Sequence, residues 1–589
     1  MKLEAICWLY IDCQTTGMRP SSGELLEIAW GWHDSTSDED RVLNFRLKSR
    51  LLKPQSNSVP PRISQMTGIE NAHLDSALEP LEVLAELRQD LHLLNANSKQ
   101  VVSVIHHSPF EIPFLDKFFA LDEASTEGAA SLDSSGHSDQ QDQSIERTRI
   151  PFQILDSTKI AKKLFPRLPS YNLRALAGHF DQPICELKRA GNHATATADI
   201  WLKLLKELIN HRIESTDALD EWLQTKPSKT TSPVKNKLPY EYAIDKAFRL
   251  GLPRRPGIYR MNGSQGKTLY VGKATSLHAR VNSYFRGQKG RDRKKLEMLT
   301  QVKCIEVTET KTSLEAALLE NEEIKRLNPP YNISLKLGRR TLHFYDRTFT
   351  SQSGTQTEIH SIGPLRPYDG VDRLKTLANH WTNWANEELK LTEIPNVFFM
   401  PILPEDLLQA FTIFCQQYAF STELFWNFRS TLAWAHGLAR RLGTSLDDLE
   451  TSDSEQPSGE IAIDPTNTPN TAESPEKLSI RFARLFLSAA RTHQDMIEIN
   501  RLRNCVVRWK DKNGEVGFIR IRNGKYASRP SIDTRENLVP SVQQSSKFDF
   551  GIADFDRLAV LRAELRKQAS VKIERNNGDV VGDGILHGE

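Results

Sequence analysis

Three polar stretches decide what this chain can become. Residues 121–148 (LDEASTEGAASLDSSGHSDQQDQSIERT), 224–239 and 451–476 hold too few large apolar side chains to close a core. With 589 residues the chain is also too long for one core. The expectation is therefore folded blocks at 1–223 (with 121–148 as a flexible insertion), 240–345, 346–450 and 477–589, joined by linkers at 224–239 and 451–476. A hydrophobic content of 39% suffices for those blocks to fold. Net charge is only +2, so any affinity for nucleic acid must come from a local basic region. The six cysteines (Cys7, Cys13, Cys185, Cys304, Cys415, Cys505) are scattered with no CxxC pair. That argues against a zinc ribbon or a disulfide framework and fits a reducing, cytoplasmic setting. No secretory pattern opens the sequence, and no run of 18 apolar residues predicts a membrane span.

Hydrophobic periodicity assigns the elements. In the first block CWLYID, ELLEIAWGW, VLNFRLK and VVSVI read as strands, and LEPLEVLAELRQDLHLL, YNLRALAGHF and HATATADIWLKLLKELI as helices. Strands first, then strand and helix in alternation, predict a mixed α/β sheet. In the second block GIYRMN and TLYVGKA predict a pair of strands and SLHARVNSYF a short helix. KCIEVTE follows as a strand and TSLEAALLENEEIKRLN as a helix. Thr312 and Glu315 form a capping-box pattern at the start of that helix, and Asn328-Pro329-Pro330 ends it. The 346–450 block reads as mainly helical. The last block offers a hairpin with Asn513-Gly514 as its turn, then a helix, DFDRLAVLRAELRKQ.

Positive charge concentrates in the second block. Residues 251–340 carry 19 Lys or Arg against 8 Asp or Glu. Such a surface attracts polyphosphate, although a solvated basic face has the same composition. Chemistry-bearing residues accompany the charge: Tyr259 ends GIY, Tyr270 begins YVG, Lys273 follows, and Arg280 and Tyr284 lie on the next helix. Glu320 shares a helical stripe with Ala316, Ile324 and Leu327. A carboxylate among apolar neighbours needs a partner, which is either a metal ion or a Lys or Arg.

The stretches PGIYRMN, TLYVGKATSLHARVNSYF and LEAALLENEEIKRLNPPYNISLK resemble the GIY-YIG nuclease domain, in its UvrC/Cho branch, over 253–340. The YIG triplet reads Tyr-Val-Gly here. The resemblance implies hydrolysis of one DNA strand with a single divalent cation, Mg²⁺ or Mn²⁺, held by Glu320. It implies that Tyr259 takes a proton from the attacking water, although an ordinary tyrosine has a pKa of about 10. Tyr270 would orient the water and the phosphate, and Arg280 would stabilise the phosphate's charge. Lys273, Tyr284 and Asn332 would complete the phosphate pocket. Gly257 and Gly272 are expected to serve backbone packing.

The first block resembles the DnaQ-like, DEDDh-type 3′–5′ exonucleases of ribonuclease-H-like fold. The resemblance rests on YIDCQTTG, ELLEIAWG, MTGIENAHLD, VIHHSPFEIPFLDKFF, ILDSTKIAKKLFP and HATATADIW. Such enzymes hold two cations with four carboxylates, and a histidine five residues before the last acts as base. Here Asp12 keeps the first position and Gln14 replaces a glutamate. Glu111 replaces an aspartate, His107 an asparagine, and Asp199 is the candidate fourth carboxylate. His193 precedes Asp199 by six residues. Losing one charge and shifting a ligand and a base implies a degenerate site.

The fold expected is thus α/β and multidomain: a ribonuclease-H-like mixed sheet, a small GIY-YIG domain, and a mainly helical C-terminal region with a hairpin. The function implied by the resemblance is an excision-repair DNA endonuclease, SOS-linked as in the Cho style, with a UvrB-type protein as a partner and no membrane association. The alternatives are an active 3′–5′ exonuclease tethered to DNA by the second block, and a non-catalytic DNA-binding adaptor.

Overall fold

The computed structural model describes residues 1–33, 45–96, 100–121, 150–182, 188–225, 240–286, 292–332, 335, 341–347, 349, 351–353, 362–366, 369–385, 404–442, 474–510, 516–525, 531–532, 550–567 and 570–575. Nearly all of the stretches 121–148, 224–239 and 451–476, and the whole Asn513-Gly514 turn, lie outside these residues. The chain divides into two compact units. One comprises Met1–Leu250, Met261–Leu269 and Tyr284–Glu306; the other comprises Gly251–Arg260, Tyr270–Ser283 and Val307–Glu589.

The first unit is built on a five-stranded sheet. Its strands are β1 (Cys7–Thr15), β2 (Leu25–His33), β3 (Phe45–Leu51), β4 (Val101–Ile105) and β5 (Gln153–Asp156), in the order β3-β2-β1-β4-β5. β1 pairs antiparallel with β2 and parallel with β4, so the sheet is mixed, as the element order predicts. Side chains of β1 alternate between faces. Leu9, Ile11 and Cys13 share a core with Val83, Leu84 and Leu87 of α1 (Pro80–Ala96) and Leu115 and Phe118 of α2 (Ser108–Phe119). Trp8 and Tyr10 share the opposite core with α3 (Ser157–Leu164), α4 (Leu173–His179) and α5 (Ala190–Asn210), including Leu176, Trp201 and Leu204. The rings of Trp8 and Trp201 meet edge to face at 4.8 Å.

The start of α5 lies close on the sheet because Ala29, Ala190 and Ala194 are small there. Buried Glu27 on β2 fixes this helix end. Its carboxylate accepts from Arg189 Nε at 3.0 Å, Arg189 Nη2 at 2.8 Å, Ala190 N at 2.9 Å and Ser49 Oγ at 2.9 Å. A carboxylate at a helix N-terminus satisfies an orphan amide and opposes the helix dipole.

A helix the periodicity does not predict, α6 (Arg293–Gln301), packs on α4 in this unit. Thr300 Oγ1 accepts from Ser170 N at 3.0 Å, and Lys303 Nζ donates to His179 O at 2.7 Å. A Cβ on Gly178 would meet the Gln301 side chain at 2.3 Å, so this contact requires glycine.

In the second unit a long helix, α11 (Pro475–Leu502), joins the helices of the 346–450 block. These are α8 (Gly370–Ala385), α9 (Pro404–Tyr418) and α10 (Phe428–Leu442); α7 (Ser313–Leu327) precedes them in the chain. Phe411, Phe414, Phe420 and Phe425 pack with Phe482 and Phe486 of α11 in one aromatic core. The hairpin is present as β9 (Cys505–Lys510) against β10 (Val516–Ile521), within a four-stranded sheet. The final helix is α12 (Ile552–Leu565). Its Leu558, Leu561 and Leu565 share a core with Leu314 and Leu318 of α7. Among the described residues no helix is long and apolar enough to cross a membrane, and Cys7, Cys13, Cys304, Cys415 and Cys505 are free thiols.

Trp201→Ala would empty the centre of the α5 face, at a cost of about 3–5 kcal/mol. Hydrogen exchange of the β1 and β4 amides should accelerate by about a hundredfold or more.

Candidate active site

The small basic domain carries a three-stranded sheet of β6 (Gly257–Asn262), β7 (Thr268–Ala274) and β8 (Cys304–Glu309), in the order β7-β6-β8. Gly257 is obligatory in this sheet, because a Cβ there would lie 2.3 Å from Thr308 O. Tyr259 on β6 is fully buried. Its ring faces Tyr270 of β7 at 6.1 Å, tilted by 40°. Gly272 has the same kind of requirement, with a specific beneficiary: a Cβ would lie 2.4 Å from the Tyr259 hydroxyl. The glycine of the YVG triplet therefore makes room for the tyrosine of GIY. Arg280, on the helix Leu277–Phe285, donates from Nε to the Tyr259 hydroxyl at 3.3 Å.

Glu320 lies half-buried on α7, whose N-cap Thr312 accepts from Glu315 N at 3.2 Å as the capping pattern predicts. The backbone N–H of Lys273 donates to Glu320 Oε1 at 2.9 Å. Among the described residues Oε2 accepts no hydrogen bond. Burial pushes the Glu320 carboxyl above the usual carboxylate range, against the pull of Lys273 and Arg280. No three His, Cys, Asp or Glu side chains among the described residues are grouped to hold a metal ion. The donor set here, one fixed carboxylate with an outward oxygen beside a basic surface, fits a hard cation that keeps several waters and takes its other ligands from a phosphate.

Two expectations for this site need comment. Asn332, expected in the phosphate pocket, is buried and spends its amide on the backbone of Val271. Its Oδ1 accepts from Val271 N at 2.9 Å and its Nδ2 donates to Val271 O at 2.8 Å. It pins β7 in place, because both of these buried peptide groups require partners. Tyr284 lies on the last turn of its helix, partly exposed and four residues beyond Arg280.

The exonuclease-like site lies at the end of β1, on the face toward α5. Asp12 is buried, and Oδ2 accepts from Gln14 Nε2 at 3.3 Å while Oδ1 lies 3.2 Å from His193 Nδ1. Glu111, in the first turn of α2, feels the charge of Asp12, and its Oε2 is buried without a hydrogen-bond partner among the described residues. Burial and the charge of Asp12 hold the Glu111 carboxyl well above the usual range. The structure brings together Asp12, Gln14, Glu111 and His193. Asp199, on the same helix as His193, hydrogen-bonds none of them, and burial raises its carboxyl against the pull of Lys203. His107 caps α2 with left-handed backbone (φ 64°, ψ 49°), a conformation that favours asparagine.

Glu27 is a residue that pattern reading passes over. It sits opposite Gln14 in the β1–β2 register, and through Arg189 and Ala190 it sets the start of the helix that carries His193. Its signal in the sequence was a charged residue at an inward position of a strand.

Comparison with known proteins bears on both sites. Residues 255–333 match the family model of the UvrC-like GIY-YIG domain, and the chain carries such a domain there. UvrABC system protein C of Alkalilimnicola ehrlichii is 52% identical over 91 residues, 15% of this chain and 15% of that one. The corresponding protein of Methylococcus capsulatus is 44% identical over 122 residues, 21% and 20% of the two chains. This chain thus spans only a small part of the length of the relatives it matches. Among solved structures it is similar to the magnesium-bound GIY-YIG endonuclease domain of UvrC from Thermotoga maritima. The identity is 27%, over 15% of this chain and 100% of that one, with a TM-score of 0.14. It is also similar to the nuclease domain of 3′hExo, a DEDDh family member, at 14% identity over 35% of this chain and 95% of that one, with a TM-score of 0.27.

The raised carboxyl of Glu320 sets a pH dependence. A dication binds the ionised form, so acidification through this raised pKa expels it. Mn²⁺ affinity measured by electron paramagnetic resonance should fall by about tenfold per pH unit below that pKa. The onset should lie at higher pH than for an ordinary glutamate, and it should vanish in Glu320→Gln together with the binding.

Proposed function

With the UvrC-like domain at 255–333 as the premise, we propose that this protein is a DNA-repair endonuclease of the excision-repair type. It hydrolyses one phosphodiester with Mg²⁺ or Mn²⁺ at Glu320. The observation that carries this reading is the convergence of Tyr259, Arg280, Lys273 and Glu320 around β7. The cation, when bound, supplies Lewis-acid stabilisation of the phosphate's charge. The chain's own groups do the rest. Lys273 N–H holds one oxygen of Glu320, which leaves the other to the cation. Arg280 contacts Tyr259 in the protein alone, and its planar donors turn to the phosphate of a bound strand. That movement opens the buried Tyr259 hydroxyl to water. Tyr259, as the phenolate, then takes the water's proton as the oxygen attacks and the P–O bond to the leaving strand end breaks, while Tyr270 orients the water. Asn332 acts on this chemistry only through β7.

The basic surface of 251–340 binds the DNA backbone, and a UvrB-type protein in the cytoplasm delivers the lesion. The exonuclease-like domain is an accessory without hydrolytic activity, because Gln14 stands where a carboxylate is expected and its amide donates to Asp12. The convergence of Asp12, Glu111 and His193 is the one observation favouring a residual 3′–5′ exonuclease, and the same experiment decides it.

Supercoiled DNA should be nicked in Mg²⁺ by the full chain. Glu320→Ala should lower the rate by about a hundredfold or more, whereas Asp12→Ala should leave it unchanged. The reverse pattern would move the chemistry to the exonuclease-like site. Salt-dependent binding without nicking in any variant would make the protein an adaptor.

A further inference from the structure

One charged group near the nuclease site comes from outside the matched domain. Glu564, on α12 in the C-terminal region, places Oε1 2.8 Å from Lys273 Nζ. The Glu564 side chain is 5% exposed and that of Lys273 is 39% exposed. The carboxylate is therefore the fixed member of the pair and the ammonium the movable one. Lys567 holds the same oxygen from the other side at 2.8 Å. The helix itself is locked onto α7, the helix of Glu320. Lys325 pairs with Asp556 at 3.3 Å, Arg557 approaches Glu322 at 3.9 Å, and a shared apolar core lies alongside. Lys273 is thus gripped at two points: its backbone N–H by Glu320 and its ammonium by Glu564.

We infer that Glu564 is a positioning residue of the nuclease site, which aims Lys273 from the C-terminal region. The inference rests on the reading of the site given above. An unrestrained lysine has four rotatable bonds and points into solvent. Anchored by a rigid, buried carboxylate, its ammonium is held beside Glu320, where it meets an incoming phosphate without first being ordered. On this reading the matched domain holds an incomplete site, and the C-terminal helix completes it.

The test is a double-mutant cycle in the full-length protein, with nicking of supercoiled DNA as the readout. Glu564→Gln should lower kcat by roughly tenfold with KM and the thermal midpoint unchanged. In a Lys273→Ala background the same change should have no further effect. Glu564→Asp, which keeps the charge one methylene short, should restore part of the rate and serves if the Gln variant folds poorly. An equal loss in both backgrounds would make Glu564 merely structural and overturn the inference. So would no loss at all, or a gain in nicking, since a gain would mean that the carboxylate competes with DNA for Lys273. Nicking that survives Glu320→Ala would instead remove the reading of the site itself.

Discussion

The hydrogen bond from Lys273 N–H to Glu320 is the constraint on which the nuclease site depends. A carboxylate carried by a helix among Ala316 and Ile324 would be costly without a donor. β7 provides one, and in doing so ties itself to α7. Four consecutive residues of that strand each answer to a different element. Tyr270 faces the ring of Tyr259, Val271 gives both peptide groups to Asn332, Gly272 clears the Tyr259 hydroxyl, and Lys273 holds Glu320. A shift of β7 by a fraction of an ångström would loosen all four together. This explains why so short a motif carries so much chemistry.

The exonuclease-like site shows the opposite electrostatic condition. Around Glu320 the charges of Lys273 and Arg280 oppose the effect of burial and favour the ionised carboxylate, while Glu564 acts with burial. Around Glu111 burial and the charge of Asp12 act in the same direction. Asp12 has meanwhile spent its oxygens on Gln14 and His193. In such a setting protons and amides satisfy the acids that metal ions would otherwise neutralise. Gln14 is central here, because its amide donates where a glutamate could only repel.

How legible all this was in the sequence depends on the range of each interaction. Local patterns read through directly: the apolar run of β1, the helical stripe of α7, the Thr312–Glu315 cap and the β9–β10 hairpin. The helix Arg293–Gln301 did not, since its segment RDRKKLEMLTQ is dominated by charge and only its last turns are buried. Long-range partners did not either. Glu27 meets Arg189 across 162 positions and Lys273 meets Glu564 across 291, and nothing in either neighbourhood names its mate. Asn332 was found by motif, but its bonds to Val271 were not, because a motif marks a position and not the atoms its side chain touches.

The two faces of α7 explain why the C-terminal region belongs to the nuclease argument. One stripe of the helix presents Glu320 to β7, while Leu314 and Leu318 lie in a core with Val507, Ile519, Leu558 and Leu561. Without that core the helix would expose two large apolar side chains, each worth about 1.5–3 kcal/mol when fully buried. It would also lose the ion pairs that fix its rotation, Lys325 with Asp556 among them. The rotation of α7 sets where Glu320 points, and a rotation of one residue's worth would swing the carboxylate about 100° away from Lys273. The C-terminal sheet and helix therefore act on the site through packing as well as through charge.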